Sequence, residues 1–435
     1  MLTGWVKLLG ELNLLGNRYL SHKKFKKQSV ANLYKRAANL QQWKCNKMER
    51  LVISDFKLGI IAGGQLGKLL ALAASNWDIK TFILDSDEQC PAASCSSVFV
   101  EGRYLNFDDV YNFGKKVDII TFEIENVNIE ALKKLKREGL KIYPDPETLE
   151  LIKDKGTQKE FYLKHNIPSA FFKLYKSKQE IITAIENGEL GFPFVQKLRT
   201  GGYDGKGVAV IKTDFDVANL LEGESVIEES INIKKEISII AARNNYGEIK
   251  CFPIVEMEFN PAANLVEKLI CPASIEESIS TEATQLAVKI ISSLNFCGLL
   301  AIEMFVDNQN KVWINEIAPR PHNSGHHTIE SIITSQFEQH LRAILNLPLG
   351  STKLKLPSVM INILGEEGYE GPVIYEGLTE SMAIEGVKIH LYGKKITKPY
   401  RKMGHATILS SSLECALKKA ETVKQLIRVK SWKES

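Results

Sequence analysis

Residues 298–326 read Gly298-Leu-Leu-Ala-Ile-Glu-Met-Phe-Val-Asp-Asn-Gln-Asn-Lys-Val-Trp-Ile-Asn-Glu-Ile-Ala-Pro-Arg-Pro-His-Asn-Ser-Gly-His326. The first nine residues are a strongly apolar strand with one acid, Glu303. A carboxylate in such a strand is costly unless a cation compensates it. The turn Asp307-Asn-Gln-Asn310 follows, and Val312, Trp313 and Ile314 suit a pleated, half-buried surface. That second strand is expected to end in Asn315 and Glu316, whose oxygens suit a hard divalent cation. An antiparallel hairpin then sets Glu303 and Glu316 across one cleft, which is how a divalent cation is held on a nucleotide's phosphates. Pro319 and Pro321 stiffen the loop that carries Arg320, His322, Asn323 and His326. Dense polar loops behind apolar strands often carry function, although a solvated surface loop has the same composition.

Upstream, Phe192-Pro-Phe-Val-Gln-Lys197 reads as a strand ending in a lysine, and residues 208–212 as a returning strand. Between them Arg199-Thr-Gly-Gly-Tyr-Asp-Gly-Lys-Gly207 packs four glycines into seven residues. Backbone amides of such a mobile hairpin can close over phosphate oxygens. The order of a Walker A loop is absent. Residues 226–231 form a strand running into a linker, where Glu228 and Glu236 are placed to meet a ribose beside an apolar adenine slot. Residues 150–166 are expected to be one helix bearing Lys153, Lys155 and Lys159. Further strands are expected over 237–241 and 249–256, and helices over 281–294 and 330–346. Residues 356–435 are strand-rich and end in a helix. In that segment Lys394, Lys395, Lys398, Arg401 and Lys402 surround a turn at Tyr392-Gly393, as a solvated charge run or an anion-binding edge.

Towards the N-terminus, a strand over 56–62, the turn Gly63-Gly-Gln-Leu-Gly67, a helix over 68–75 and a strand over 79–84 make a βαβ unit. The glycines and the helix N-terminus suggest phosphate binding. A dinucleotide fingerprint would need Gly at Ala62. A strand over 117–122 ends at Glu123-Ile-Glu-Asn126, so Asp85 and Glu123 should flank the glycine loop.

The 435 residues suffice for about three domains. Residues 1–47 hold ten Lys and Arg against one acid, a local +9 that leaves −5 of the total +4 for the remainder. This segment reads as a targeting peptide, a basic arm, or sequence ahead of a true start at Met48; the compact pattern beginning after Met48 favours the last, and disorder is expected before it. The body lacks a nucleic-acid footprint of clustered basic residues. No apolar run approaches the ~20 residues of a membrane helix. Seven scattered cysteines without a CxxC pair read as core residues in a reducing compartment, the cytoplasm.

The order of these parts resembles the ATP-grasp superfamily. More closely, Gly64-Gln-Leu-Gly67, Thr121-Phe-Glu-Ile-Glu-Asn-Val127, Arg199–Gly207, Asn315–His326, Pro357-Ser-Val-Met-Ile-Asn-Ile-Leu-Gly365 and Arg401-Lys-Met-Gly-His405 resemble the 5-(carboxyamino)imidazole ribonucleotide synthases of purine biosynthesis, over about residues 55–428. The resemblance implies a mixed α/β and α+β protein. A parallel α/β domain would span 48–150, a central ATP-grasp domain 151–350 with a mobile lid over about 170–232, and a small β-rich domain 351–435. It implies carboxylation of 5-aminoimidazole ribonucleotide with ATP and bicarbonate through carboxyphosphate. ATP would meet Lys155, Lys197, Gly202, Tyr203, Asp204, Gly205, Lys206, Gly207, Val208, Glu228, Glu229, Ser230, Ile231, Glu236, Asn315 and Glu316. Glu303 and Glu316 would bind Mg²⁺, with Mn²⁺ an alternative. Gln65, Leu66, Gly67, Asp85, Glu123, Lys394, Arg401 and Lys402 would bind the ribonucleotide. Arg320, His322, Tyr203, Asp204 and Lys197 would carry the chemistry, with His322 and Asp204 both open as proton acceptor. Lys155 stands where many relatives have Arg, and Glu256 where some have His. The partners implied are small molecules, neither nucleic acid nor membrane, with a homodimeric assembly and a separate mutase to take the product. The rival reading is another ATP-grasp ligase, such as a formate-dependent glycinamide ribonucleotide formyltransferase, in which Asp-Thr-Gly would replace Asn323-Ser324-Gly325.

Overall fold

A computed structural model describes residues 55–202, 207–260 and 265–432. The extension 1–47 lies outside the described residues, as do Tyr203, Asp204, Gly205 and Lys206.

Strands β1 (Lys57–Ile61), β2 (Lys80–Asp85), β3 (Val98–Glu101), β4 (Ile119–Phe122) and β5 (Lys141–Ile142) form a parallel sheet in the order β3-β2-β1-β4-β5. β4 is buried along its whole length and β1 from its second residue, as strands covered on both faces must be. Strand order reverses beside β1, which opens a crevice at the carboxyl ends of β1 and β4. The helix after β1 starts at Gln65, three residues earlier than the sequence suggests, and runs to Ser75.

The expected helix over 150–166 is two helices, Pro146–Lys153 and Lys155–Lys164. Asp154 interrupts them with extended backbone, and its Oδ1 accepts from the N–H groups of Gly156 (2.7 Å) and Thr157 (3.1 Å). The residue therefore caps a new helix rather than continuing the old one. A small sheet follows, β6 (Phe172–Tyr175), β7 (Phe194–Leu198), β8 (Val208–Ile211) and β9 (Ser225–Glu229), antiparallel in the order β6-β9-β7-β8. Its own core of Ile181, Phe194, Ile211, Leu220 and Ile227 makes it a separate plate.

The large sheet is built from β10 (Ile233–Arg243), β11 (Ile249–Cys251), β12 (Val255–Asn260), β13 (Leu265–Cys271), β14 (Gly298–Asp307), β15 (Val312–Ala318), β16 (Ser358–Leu364), β18 (Val387–Leu391) and β20 (Lys402–Leu409). Its order is β15-β14-β10-β12-β13-β16-β20-β18, with β11 on β10. The single strand expected over 249–256 is thus split in two. The C-terminal strands extend the central sheet through β13–β16, and Val255, Met257, Leu269, Cys271 and Met360 pack across that seam. The helices Glu277–Ser293 and Leu413–Leu426 cover it with separate apolar clusters. β17 (Gly371–Glu376), β19 (Ile396–Thr397) and β21 (Arg428–Ser431) form a three-stranded edge. The closing helix expected over 330–346 is Thr328–Ser331 followed by Gln336–Ile344, because Ile332 leaves to bridge Leu354 and Ser335 caps anew.

Candidate active site

β14 and β15 pair antiparallel, and Glu303 faces Glu316 directly. The register then slips: Met304 pairs with Ile314, which leaves Asn315 as an extra residue. This is a β-bulge, and a bulge re-aims side chains. Met304 and Ile314 enter the central core. Asn315 and Glu316, neighbours that would point to opposite faces of a regular strand, both turn to the cleft. Asn315 Oδ1 accepts from Lys197 Nζ at 2.8 Å, and Glu316 is ion-paired with Lys155. β15 continues past Glu316 to Ala318.

Ionic pairing fills the cleft. Lys197 on β7 and Lys159 on the helix Lys155–Lys164 each lie 3.0 Å from an oxygen of Glu228 on β9, so a buried carboxylate helps tie the small four-stranded sheet to the central body. Burial pulls the Lys159 ammonium down to about 8, against the attraction of Glu228. The Lys155 charge, overcoming burial, holds Glu316 down to about 2. Burial, Glu316 and Glu236 together push Glu303 up to about 8. Burial also pushes Glu236 up to about 7, with Lys197 opposing. Glu236 and Ser238 alternate along β10, and Ser238 pairs with Glu303 in register. Two facing carboxylates that disfavour joint ionisation are the donor set a divalent cation relieves. Among the described residues no group of three or more His, Cys, Asp or Glu is placed to hold a metal by itself. The facing carboxylates of Glu303 and Glu316 offer hard oxygen donors of the kind a divalent cation takes.

The loop after β15 is braced from several sides. Arg320 Nε lies 2.8 Å from Glu125 Oε1, and Nη1 donates to the Pro321 carbonyl at 3.1 Å. His322 Nδ1 is 2.9 Å from Ser324 Oγ, itself 2.9 Å from Ser238 Oγ. His322 Nε2 lies 3.6 Å from Glu303.

At the glycine loop the expected phosphate cradle is already occupied by the chain's own acids. Gly63 N–H donates to Asp85 Oδ2 at 2.7 Å, and the N–H groups of Gly64 and Gly67 donate to Glu123. A Cβ at Gly64 would meet the Glu123 carboxylate, so the absence of a side chain there lets that acid close on the turn. Asp85 and Glu123 do meet there, and Leu66 is buried within the helix. Gln65 Oε1 accepts from Lys394 Nζ and Gln65 Nε2 donates to Asn323 Oδ1, both at 3.1 Å. Lys394 Nζ also donates to the Lys402 carbonyl at 2.6 Å, while Arg401 Nη1 donates to Ile396 O at 2.7 Å.

Of the remaining expected residues, Gly202, Gly207 and Val208 border the hairpin. Glu229 and Ser230 are exposed and Ile231 half-buried, where the small four-stranded sheet joins β10. Sequence reasoning missed Glu125 as the brace of Arg320, although it lies two residues beyond Glu123. It also missed Asp154, whose carboxylate takes Arg199 Nε at 2.9 Å and Nη2 at 2.7 Å and so anchors the base of the glycine hairpin.

Three stretches match known domain families: residues 56–153 the ribonucleotide synthetase preATP-grasp domain, 160–337 the ATP-grasp domain, and 358–419 the phosphoribosylaminoimidazole carboxylase C-terminal domain. The chain is 38% identical over 363 residues to N5-carboxyaminoimidazole ribonucleotide synthase of Staphylococcus aureus (strain COL), covering 82% of this chain and 93% of that protein. It is 38% identical over 374 residues to phosphoribosylaminoimidazole carboxylase of Saccharomyces cerevisiae, covering 82% of this chain and spanning only 64% of that protein's length. The crystal structure of N5-carboxyaminoimidazole ribonucleotide synthetase from Thermotoga maritima superposes with a TM-score of 0.80 at 44% identity, over 87% of this chain and 100% of that one.

Proposed function

We infer from one premise, that this chain belongs to the N5-carboxyaminoimidazole ribonucleotide synthase family of ATP-grasp ligases, that it carboxylates 5-aminoimidazole ribonucleotide with ATP and bicarbonate. Bicarbonate oxygen takes the γ-phosphoryl of ATP, giving carboxyphosphate and ADP. The amine of the ribonucleotide then bonds to the carboxyl carbon, phosphate leaves, and the amine releases a proton. The observation that carries this reading is the facing pair Glu303 and Glu316 beside Lys155 and Lys197.

Each side chain has a part suited to its chemistry. Lys155 and Lys197 offset phosphate charge, and Asn315 orients Lys197. Glu303 and Glu316 would hold Mg²⁺, which when bound would spread charge over the transferring phosphoryl. Glu236 receives the ribose of ATP. Arg320 binds bicarbonate; with Glu125 on Nε its guanidinium is a fixed rather than a roving charge. His322, seated by Ser324, takes the amine's proton, with Asp204 the other acceptor open to this step. Lys394, Arg401 and Lys402 receive the ribonucleotide's phosphate. The glycine-rich segment between β7 and β8 would serve to keep water from carboxyphosphate. The free thiols of Cys90, Cys271 and Cys297 support a reducing compartment, the cytoplasm. A homodimer that hands its product to a separate mutase completes the proposal.

ADP release is the test. We expect turnover that requires both 5-aminoimidazole ribonucleotide and bicarbonate and that formate does not replace. Arg320→Ala and Glu303→Gln should each lower it at least a hundredfold while the circular dichroism spectrum is kept. Turnover with formate in place of bicarbonate, or wild-type rates in both variants, would overturn the assignment.

A further inference from the structure

The reaction proposed above leaves His326 and Asn323 without a part, although both lie in the loop that follows β15. Asn323 Oδ1 is shared. It accepts from Gln65 Nε2 at 3.1 Å, and His326 Nε2 approaches it at 3.1 Å. An amide oxygen only accepts, so the imidazole carries its proton on Nε2. Burial, with the neighbouring His322, Lys402, His390 and His327 opposing a further charge, keeps the ring neutral. Its other nitrogen, Nδ1, is buried and has no hydrogen-bond partner among the described residues. Among the described residues the ring has one hydrogen-bonding contact, and that contact is with Asn323.

The C-terminal strands hold the ring in place. His326 stacks on His405 of β20 with centroids 4.4 Å apart and planes 2° from parallel. His405 in turn stacks on His390 of β18 at 4.6 Å, and its Nδ1 lies 3.0 Å from the Tyr392 hydroxyl. His326 and His405 are wholly buried. The amide of Gln65 is thereby gripped at both ends, by Asn323 from the central domain and by Lys394 from the C-terminal strands. Gln65 opens the helix whose flanking amides, at Gly64 and Gly67, are held by Glu123.

We propose that His326 is a positioning residue for the ribonucleotide: acting through Asn323, it fixes the orientation of the Gln65 amide at the crevice where the N-terminal, central and C-terminal parts of the chain meet. The inference rests on the function proposed above. A donor at Nε2 is required, while the aromatic body serves the stack. The two requirements are separable by substitution. His326→Phe keeps a ring for His405 and removes the donor. His326→Gln returns an N–H at the same reach and removes the ring.

Steady-state kinetics tests the proposal. His326→Phe should raise KM for 5-aminoimidazole ribonucleotide at least tenfold and leave KM for ATP within twofold. His326→Gln should bring the former back to within about threefold of wild type. Asn323→Ala should raise the same KM, and the double variant His326→Phe/Asn323→Ala should be no worse than Asn323→Ala alone, since one residue acts through the other. An unchanged KM in His326→Phe, an equal rise in both KM values, or additive effects in the double variant would each overturn the proposal. If His326→Phe does not fold, His326→Gln and Asn323→Ala decide it: a wild-type KM in Asn323→Ala overturns it. A wild-type protein without ribonucleotide-dependent ADP release would instead refute the function on which the proposal rests.

Discussion

At the scale of single residues, the site is a pair of acids that resist being charged together. Glu303 was legible in the sequence because one acid in an apolar strand is conspicuous, and Glu316 because it follows the apolar run Val312-Trp-Ile314. The part played by Asn315 was not legible, since a bulge depends on the register of the partner strand. Glu125 escaped for a similar reason: its ion pair with Arg320 joins distant parts of the chain. The electrostatics make a prediction. Burial, Glu316 and Glu236 raise Glu303 to about 8 in the folded protein, so the native state binds this proton more tightly than the unfolded chain does. Without nucleotide and Mg²⁺, stability should fall as pH rises from the ordinary carboxylate range through about 8, by at most ~1.4 kcal/mol per pH unit from this group. Urea unfolding at pH 6 and pH 9 measures that fall. Glu303→Gln should show a smaller one; equal slopes in the two proteins would contradict the assignment of strain to Glu303.

At the scale of elements, the helix break at Asp154 matters most. Lysines at 153, 155 and 159 suggested one helix, but local propensity does not reveal that Arg199 will claim the carboxylate between them. Asp154 serves two elements, the N-terminus of Lys155–Lys164 and the base of the glycine hairpin. Despite burial, the hydrogen bond from Arg199 and those from Thr157 and Gly156 hold its carboxyl below the usual range. Asp154→Asn should keep the cap and weaken the hold on Arg199. Asp154→Ala should lose both and cost about 1 kcal/mol more, the ordinary worth of a cap. Both should raise KM for ATP, because Lys155 begins the capped helix and Lys197 lies two residues before Arg199. Denaturant midpoints and ATP titrations check the two claims separately; equal stability in both variants would remove the cap from the account.

At the scale of the whole molecule, the succession of α/β unit, lid and strand-rich end was legible from hydrophobic periodicity and glycine placement. The joining of the last two was not, because nothing local marks β16 as the partner of β13. One nine-stranded sheet passes from the central domain into the C-terminal strands. A chain ended at residue 350 would strip β13 of that neighbour and uncover Met257, Leu269 and Cys271. It should lose cooperative unfolding in calorimetry and aggregate; a sharp transition near that of the full chain would show the seam to be dispensable. The acids bound to the glycine loop have a different consequence. In the reaction proposed above two reactants carry phosphate, and each needs its own place. Lys155 and Lys197 gather where the small four-stranded sheet meets the central body, whereas Asp85 and Glu123 line the turn whose amides would otherwise be open to an anion. The amides at the start of the first helix are thus already engaged: Asp85 and Glu123 take the N–H donors of Gly63, Gly64 and Gly67 that a phosphate would need.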